Sequence, residues 1–266
     1  MSRPVILAVS FGTSMSDARS ISIGAVESTL AECFPEFEVR RAFTSAIIRR
    51  ILKNRDGISI DSVPEALEKL ASEGVKEVYV MPTHMIEGDE YNKKIVKEAE
   101  AFRDRFEKLG IGRALLGCEA DIDEAAGILD KITASYADGR TARVFMGHGT
   151  EHEADRIYAM LQDRLRKRGM DDIYIGTVES APTAEDILEE VRNSGALRVV
   201  LSPLMLVAGD HAKNDMAGDG ADSWKSVFEK AGLEVICRIK GLGSEYSIQK
   251  MIARHCEEMI KEKRLK

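Results

Sequence analysis

At 266 residues the chain can bury a sizeable core and is long enough for two domains of ordinary size. Its net charge of −7, with no broad basic tract, argues against a nucleic-acid partner. The apolar run at 199–208 is interrupted by Ser202 and Pro203 and is too short to span a bilayer, so no membrane association is expected.

The first predicted element is a buried strand over residues 5–10. It lacks the longer apolar stretch and cleavage site of a signal peptide, so a cytoplasmic location is expected. A helix follows from about 16 to 33, with Ser14 or Ser16 as its N-cap. Residues 37–42 read as the second strand. Pro64, in a first helical turn, opens a helix that stops at Gly74. A third strand covers 78–81, a helix 90–109, a fourth strand 113–117 and a helix 121–136. Ala137-Asp138-Gly139-Arg140 is a turn-like break. The order then restarts with strand 143–146, helix 151–168, strand 173–178, helix 183–193 and strand 197–202. A helix ending at Lys230, strand 234–239 and helix 244–261 close the chain.

Strict alternation of strands and helices predicts parallel sheets covered on both faces. The expected fold class is α/β: two similar doubly wound lobes, each with a parallel, about four-stranded sheet flanked by helices. The lobes are placed at 1–138 and 139–266. The last helix of either lobe can cross over to the other, so this boundary is set only to within about 15 residues, wider than the usual error on an element.

The second half repeats the first. Residues 63–93 align with 184–214 without a gap, and Gly88-Asp89 matches Gly209-Asp210. Near the start of each half, Phe11-Gly12-Thr13 matches His148-Gly149-Thr150. The copies differ where Phe11 faces His148, Thr44 faces Glu179 and Glu90 faces His211. Each change gives the second copy a good transition-metal ligand. His148 and Glu179 follow predicted strands directly, and His211 lies in the loop after a third. In open parallel sheets, ligands bind beyond the carboxyl ends of the strands. Two imidazoles and a carboxylate suit Co²⁺, Zn²⁺, Fe²⁺ or Ni²⁺, and three protein ligands leave coordination positions open.

His152 reads either as a group supporting that site or as a solvated side chain. His84, which aligns with Met205, reads equally as a packing residue, and His255 as a surface residue. The turns Gly12-Thr13-Ser14 and Gly149-Thr150 can aim N–H groups at an anion, or can simply be tight turns that the fold requires. No nucleotide fingerprint and no G-x-S-x-G nucleophile motif is present, so no nucleotide cofactor is expected. Cys33, Cys118, Cys237 and Cys256 form no C-x-x-C pair and read as buried thiols in a reducing compartment.

The first half also carries an insertion of 14 residues, from Ala46 to about Ser59, at the end of its second strand. It contains Arg49, Arg50, Lys53 and Arg55 among Ile47, Ile48, Ile51 and Leu52.

Several stretches together resemble one family. They are Val9-Ser10-Phe11-Gly12-Thr13-Ser14, Arg41-Ala42-Phe43-Thr44-Ser45, Gly88-Asp89-Glu90-Tyr91, Phe145-Met146-Gly147-His148-Gly149 and Val178-Glu179-Ser180. The longest runs from Met205 to Lys225 and includes Gly209-Asp210-His211-Ala212, Asn214-Asp215-Met216-Ala217 and Asp222-Ser223-Trp224-Lys225. The family is that of the anaerobic sirohydrochlorin cobaltochelatases, small ATP-independent class II tetrapyrrole chelatases. The resemblance implies insertion of Co²⁺ into sirohydrochlorin during anaerobic cobalamin synthesis, with the tetrapyrrole in a cleft between the lobes. It implies that His148, Glu179 and His211 bind the metal. Glu90, the counterpart of His211 under the repeat, is expected to form the catalytic pair with His148 by accepting a pyrrole proton or orienting the ring, or else to start a helix and stabilise its dipole. Ser10, Phe11, Gly12, Thr13, Glu90, Arg49 and Arg50 are the expected substrate-binding residues. Insertion of Fe²⁺ or Ni²⁺ into a tetrapyrrole, and a metal or tetrapyrrole carrier without turnover, are the alternative readings. A homo-oligomer is compatible with the sequence.

Overall fold

The strands β1 (Val5–Ser10), β2 (Glu38–Phe43), β3 (Glu77–Pro82) and β4 (Lys108–Ile111) form one sheet, in the order β2-β1-β3-β4. The strands β5 (Thr141–Gly147), β6 (Ile173–Thr177), β7 (Arg198–Pro203) and β8 (Glu234–Cys237) form a second, in the order β6-β5-β7-β8. All pairings are parallel. This is a computed structural model, and it describes residues 3–265. The central strands explain the unbroken apolar runs in the sequence. Every residue of β1 and of β5 is buried, because helices cover both faces of each sheet.

The two sheets are copies in register as well as in order. In the first, Val5 pairs with Val78 and Val9 with Pro82. In the second, Ala142 pairs with Val199 and Met146 with Pro203. The helices that lead into β3 and β7 begin with the same device. Ser62 and Glu65 form a capping box at the start of Val63–Ser72, and Thr183 and Asp186 form one at the start of Ala184–Ser194. Each box satisfies two orphan N–H groups, and its N-cap hydroxyl contributes about 1 kcal/mol of stability.

The register corrects one correspondence. Ser10 pairs with Phe43, and Gly147 with Thr177. Thr44 N–H then donates to Ser10 O at 3.0 Å, just as Val178 N–H donates to Gly147 O at 3.1 Å. Ser45 N–H donates to Phe11 O, and Glu179 N–H to His148 O. The counterpart of Glu179 is therefore Ser45 and not Thr44. The insertion hid this, because the ungapped match begins only at residue 63.

The chain divides into two compact units, Met1–Gly117 with Tyr246–Lys266, and Cys118–Glu245. This division differs from the expected boundary at 138. The helix Glu119–Thr133 belongs with the second sheet, where it packs on the helix Arg156–Lys167. Arg143, almost fully buried, anchors it there by pairing with Asp130 at 2.8 Å and with Asp172 at 2.7 Å. The final helix, Tyr246–Leu265, belongs with the first sheet and packs on β3, β4 and the helix Ala25–Cys33. Gln249 meets Thr29 at 2.9 Å in the interior, and Met259 lies against Gly110, where an added Cβ would come within 2.8 Å of the Tyr79 ring.

Two further expectations change with this helix. His255 is 1% exposed and lies in the interior rather than at the surface. Cys256 beside it is buried, and burial pushes its thiol up to about 12. Cys33 and Cys237 are only half-buried, and Cys118 is exposed, so buried thiols describe one of the four cysteines.

The fourth strand also moves. Residues 108–111, not 113–117, pair with β3, and the preceding helix ends by Glu100. Ala114, Leu115 and Leu116 are buried, but in a turn whose Leu115 and Leu116 N–H groups donate to His84 O and Met85 O. The second unit does the same with Leu242 and Gly243 on Met205 O and Leu206 O. A short apolar run reads as a strand whenever it is buried, and here tertiary hydrogen bonds decide otherwise. The helix expected to end at Lys230 is two pieces, a single π-turn Ala212–Met216 and the helix Trp224–Lys230.

The insertion folds as the helix Ala46–Asp56. Ser45 caps it by accepting from Ile48 N–H, and Gly57 ends it at φ +68°, a conformation in which glycine lacks the usual Cβ penalty. Leu52 is buried, while Ile47 is exposed. No described helix is long and apolar enough to cross a membrane.

Candidate metal centre

The second unit by itself brings His148, Glu179 and His211 together. One ligand atom from each lies within 4.8 Å of the other two. The imidazole rings of His148 and His211 sit edge to face, with centroids 4.7 Å apart. Glu179 Oε2 is 3.4 Å from His148 Nδ1. The three side chains are 46%, 53% and 36% exposed, so an aqueous cation can reach all of them.

The backbone accounts for the convergence. Pairing of β5 with β6 continues beyond the strands, where Glu179 N–H donates to His148 O at 2.9 Å. That bond sets the first two ligands side by side. The loops are then clasped from below. Asp155 accepts from Thr150 N–H at 2.9 Å, and its carboxylate accepts from the Ser180 hydroxyl at 2.9 and 3.0 Å. Thr177 Oγ1 donates to Ser180 O at 2.6 Å. His211 opens the π-turn after β7, and its Nδ1 lies 2.6 Å from Asp215 Oδ2. The Nδ1 of His148 lies 2.9 Å from Gly149 O. Both imidazoles thus have Nδ1 engaged, which leaves Nε2 as the donor atom on each.

Two borderline nitrogen donors and one carboxylate fit a first-row divalent ion, with positions left over for other ligands. Nothing in the cluster resembles the all-oxygen cage that Mg²⁺ or Ca²⁺ requires.

Residues 4–261 match the family model described as cobalt chelatase (CbiK). The chain belongs to the cobalt chelatase family. Among curated relatives it is 40% identical over 258 residues to the sirohydrochlorin cobaltochelatase of Salmonella typhimurium, covering 97% of both chains. It is 36% identical over 243 residues to the sirohydrochlorin cobaltochelatase CbiKC of Nitratidesulfovibrio vulgaris, covering 91% of this chain and 85% of the relative. In fold it resembles SirB from Bacillus subtilis, solved with Fe³⁺, at a TM-score of 0.63 and 12% identity, over 97% of this chain and 96% of that one. It also resembles a multi-domain Deinococcus radiodurans protein with structural similarity to chelatases, at a TM-score of 0.58 and 12% identity, over 97% of this chain and 55% of that one.

In this cobalt chelatase the remaining candidates lie in the first unit. Phe11 is 53% exposed at the end of β1, at the position that His148 holds in the second unit. Gly12 adopts φ +101°, and any Cβ there would come within 2.6 Å of the Phe43 ring, so the turn has a structural reason for its glycine. Ser10 and Thr13 are buried. The Ser10 hydroxyl meets Thr83 Oγ1 at 2.9 Å, and Thr13 Oγ1 accepts from Met15 N–H. Their side chains are therefore occupied inside the unit. Glu90 is half-buried in the short helix Asp89–Tyr91. Arg49 pairs with Glu65 at 2.8 Å, and Arg50 is exposed.

Among the other histidines, His152 caps the turn Glu153–Asp155 by accepting from Ala154 N–H at 3.0 Å. Both ring nitrogens of His84 are buried with no hydrogen-bond partner among the described residues, and burial pushes its imidazole down to about 4. It is neutral at pH 7. Sequence reasoning left Asp155 and Asp215 without roles. For Asp215 the usable signal is its i,i+4 spacing from His211. For Asp155 only the contact to Thr150 in its own loop is local, while its other partner, Ser180, comes from the loop after β6.

Gly149 supplies a test of this backbone arrangement. It sits at φ +83°, and an added Cβ would lie 2.6 Å from Ser180 Oγ and 2.9 Å from Ser180 N. Gly149→Ala is expected to destabilise the fold by about 1–2 kcal/mol or more and to weaken Co²⁺ binding by displacing His148 from Glu179. Gly209, with open space around its Cβ position, is the control. Thermal unfolding and a metal titration of both variants check this. Equal Co²⁺ affinity in Gly149→Ala and Gly209→Ala would remove the loop from any part in positioning the ligands.

Proposed function

We propose that the chain is an ATP-independent sirohydrochlorin cobaltochelatase, which inserts Co²⁺ into sirohydrochlorin in anaerobic cobalamin synthesis. The observation that carries this reading is the convergence of His148, Glu179 and His211, in a chain whose relatives bear that name. The reaction exchanges two inner N–H protons of the macrocycle for one divalent cation. Its barriers are removal of those protons and stripping of ligands from the metal.

The donor set suits the second task. Three half-exposed side chains hold a cation while leaving coordination positions for ring nitrogens, so ligands can be exchanged one at a time. Glu90 suits the first. It occupies in the first unit the place that His211 occupies in the second, and a carboxylate there can accept a pyrrole proton. Sirohydrochlorin carries many peripheral carboxylates. The cations of the inserted helix, Arg49, Arg50, Lys53 and Arg55, can pair with them, with Arg favouring bidentate contacts. Phe11 presents an exposed aromatic face to a flat, apolar macrocycle. The donor chemistry also accepts Fe²⁺ and Ni²⁺, so the physiological metal follows from supply as well as from the site.

Purified protein mixed with sirohydrochlorin and Co²⁺, Fe²⁺ or Ni²⁺ in turn should change the ring absorbance faster than the protein-free reaction. A carrier without turnover would leave the rate of metal uptake unaltered. The double variant His148→Ala, His211→Ala should lose at least about 100-fold in rate while keeping its fold by circular dichroism. Insertion at the wild-type rate would show that the metal enters elsewhere.

Glu90→Gln separates proton transfer from binding, because the amide keeps the shape but cannot take up a proton. We expect kcat to fall by about 100-fold with a much smaller change in the KM for sirohydrochlorin. Parallel losses in both would make Glu90 a binding residue.

Neutralising Arg49, Arg50, Lys53 and Arg55 together should raise the KM for sirohydrochlorin by roughly tenfold at low ionic strength, and by less in salt. A constant KM at low salt would assign the inserted helix another purpose.

A further inference from the structure

We infer that Asp215 is a positioning residue of the metal centre, which presents His211 to the incoming cation through Nε2 and supplies the second negative charge beside it. The inference rests on the reading of His148, Glu179 and His211 as the metal-holding set.

Geometry is the first observation. Asp215 Oδ2 lies 2.6 Å from His211 Nδ1, just under the usual range for an N–H···O bond to a carboxylate. A neutral imidazole carries its proton on one nitrogen and its lone pair on the other. A carboxylate acceptor at Nδ1 holds the proton there and leaves the lone pair on Nε2. His148 is held in the same sense by Gly149 O at 2.9 Å. The two rings therefore offer the same atom, though different kinds of acceptor enforce it.

The internal repeat is the second observation, and it is independent of the first. The two copies run in step through this segment. Asn92 N–H donates to Gly88 O, as Lys213 N–H does to Gly209 O. Asp89 holds Lys93 at 2.8 Å, as Asp210 holds Asn214 at 2.9 Å. One residue further on, Glu90 and Lys94 correspond to His211 and Asp215. In the first unit Lys94 turns to Glu98, at 3.8 Å. The second copy thus replaces four residues around one point. Phe11, Ser45 and Glu90 give way to three ligands, and a lysine gives way to the carboxylate that one ligand needs.

Charge balance points the same way. Two neutral imidazoles and Glu179 offset one of the two positive charges of a divalent ion, and Asp215 offsets the other. A stability role does not account for the residue. Asp215 is 44% exposed, and an exposed i,i+4 pair contributes little to folding.

The test compares Asp215→Ala, Asp215→Asn, His148→Ala and the wild type. Co²⁺ affinity is measured without tetrapyrrole, the His211 tautomer by ¹⁵N NMR of the imidazole, and KM separately for Co²⁺ and for sirohydrochlorin. Asp215→Ala should weaken Co²⁺ binding about 10- to 100-fold, raise the KM for Co²⁺ and leave that for sirohydrochlorin within about twofold. It should also lose the Nδ1-protonated tautomer of His211. Asp215→Asn retains an acceptor oxygen without the charge and should keep that tautomer while binding Co²⁺ with intermediate affinity. If Asp215→Ala binds Co²⁺ as the wild type does while His148→Ala does not, the role of Asp215 is overturned and the metal centre stands. If His148→Ala also binds as the wild type does, the metal centre itself is wrong and this inference falls with it.

Discussion

Everything at the candidate metal centre depends on the parallel pairing of β5 with β6 and β7. Parallel strands finish at the same edge of a sheet, so residues far apart in sequence leave the sheet as neighbours. Here the pairing runs past the strands themselves. The hydrogen bond from Glu179 N–H to His148 O is a ladder bond made by two residues outside the sheet. It joins two candidate metal ligands through their backbones, so their side chains begin from fixed, adjacent points. His211 arrives from the neighbouring strand through a loop of a few residues. The ligand heads are solvated, but the backbone that carries them is as well determined as the sheet.

That division of labour explains how one scaffold serves two chemistries in one chain. The first unit repeats the strand order, the register, the capping box and the turn hydrogen bonds of the second. The differences that matter at the strand ends are the side chains and, after β2, the inserted helix Ala46–Asp56. The clearest case is Ser45, the counterpart of Glu179. Ser45 N–H makes the same ladder bond, to Phe11 O, but its hydroxyl caps the helix Ala46–Asp56. The second unit has no such helix, and Glu179 is instead followed within a few residues by Pro182 and the N-cap Thr183. A position that caps a helix is not available to hold a metal. The insertion and the missing ligand in the first unit are thus one structural change seen twice.

Legibility in the sequence follows the range of the interactions involved. The central strands could be read because burial on both faces leaves mainly apolar runs, and the candidate ligands could be picked out because they interrupt a repeat. What misled was local pattern overruled from a distance. Leu115 and Leu116 look like strand residues and are buried like them, but their N–H groups are taken by the loop after β3. His255 looks like a polar residue on an amphipathic terminal helix. That helix packs on the first sheet, and the histidine goes inside with it. The same packing puts Tyr246–Lys266 with residues 1–117, a crossover that linear order allows but does not fix. The Asp155 clasp was hidden for a similar reason, since Ser180 comes to it from the loop after β6.

A site that passes its metal on faces a requirement that a structural zinc site does not. Structural sites close four ligands around the ion and gain folding energy from it. A closed, buried shell would hold the substrate against transfer. Here the three candidate ligands remain substantially in water, and the chain folds its rigid parts beneath them. Order is instead imposed on the ligands one bond further back. Gly149 O and Asp215 fix the Nδ1 side of the two imidazoles, and the ladder bond fixes the starting point of Glu179. Such an arrangement keeps the donor atoms oriented without adding a fourth protein ligand. A cation bound there would meet a set already turned toward it, with coordination positions left open for a macrocycle.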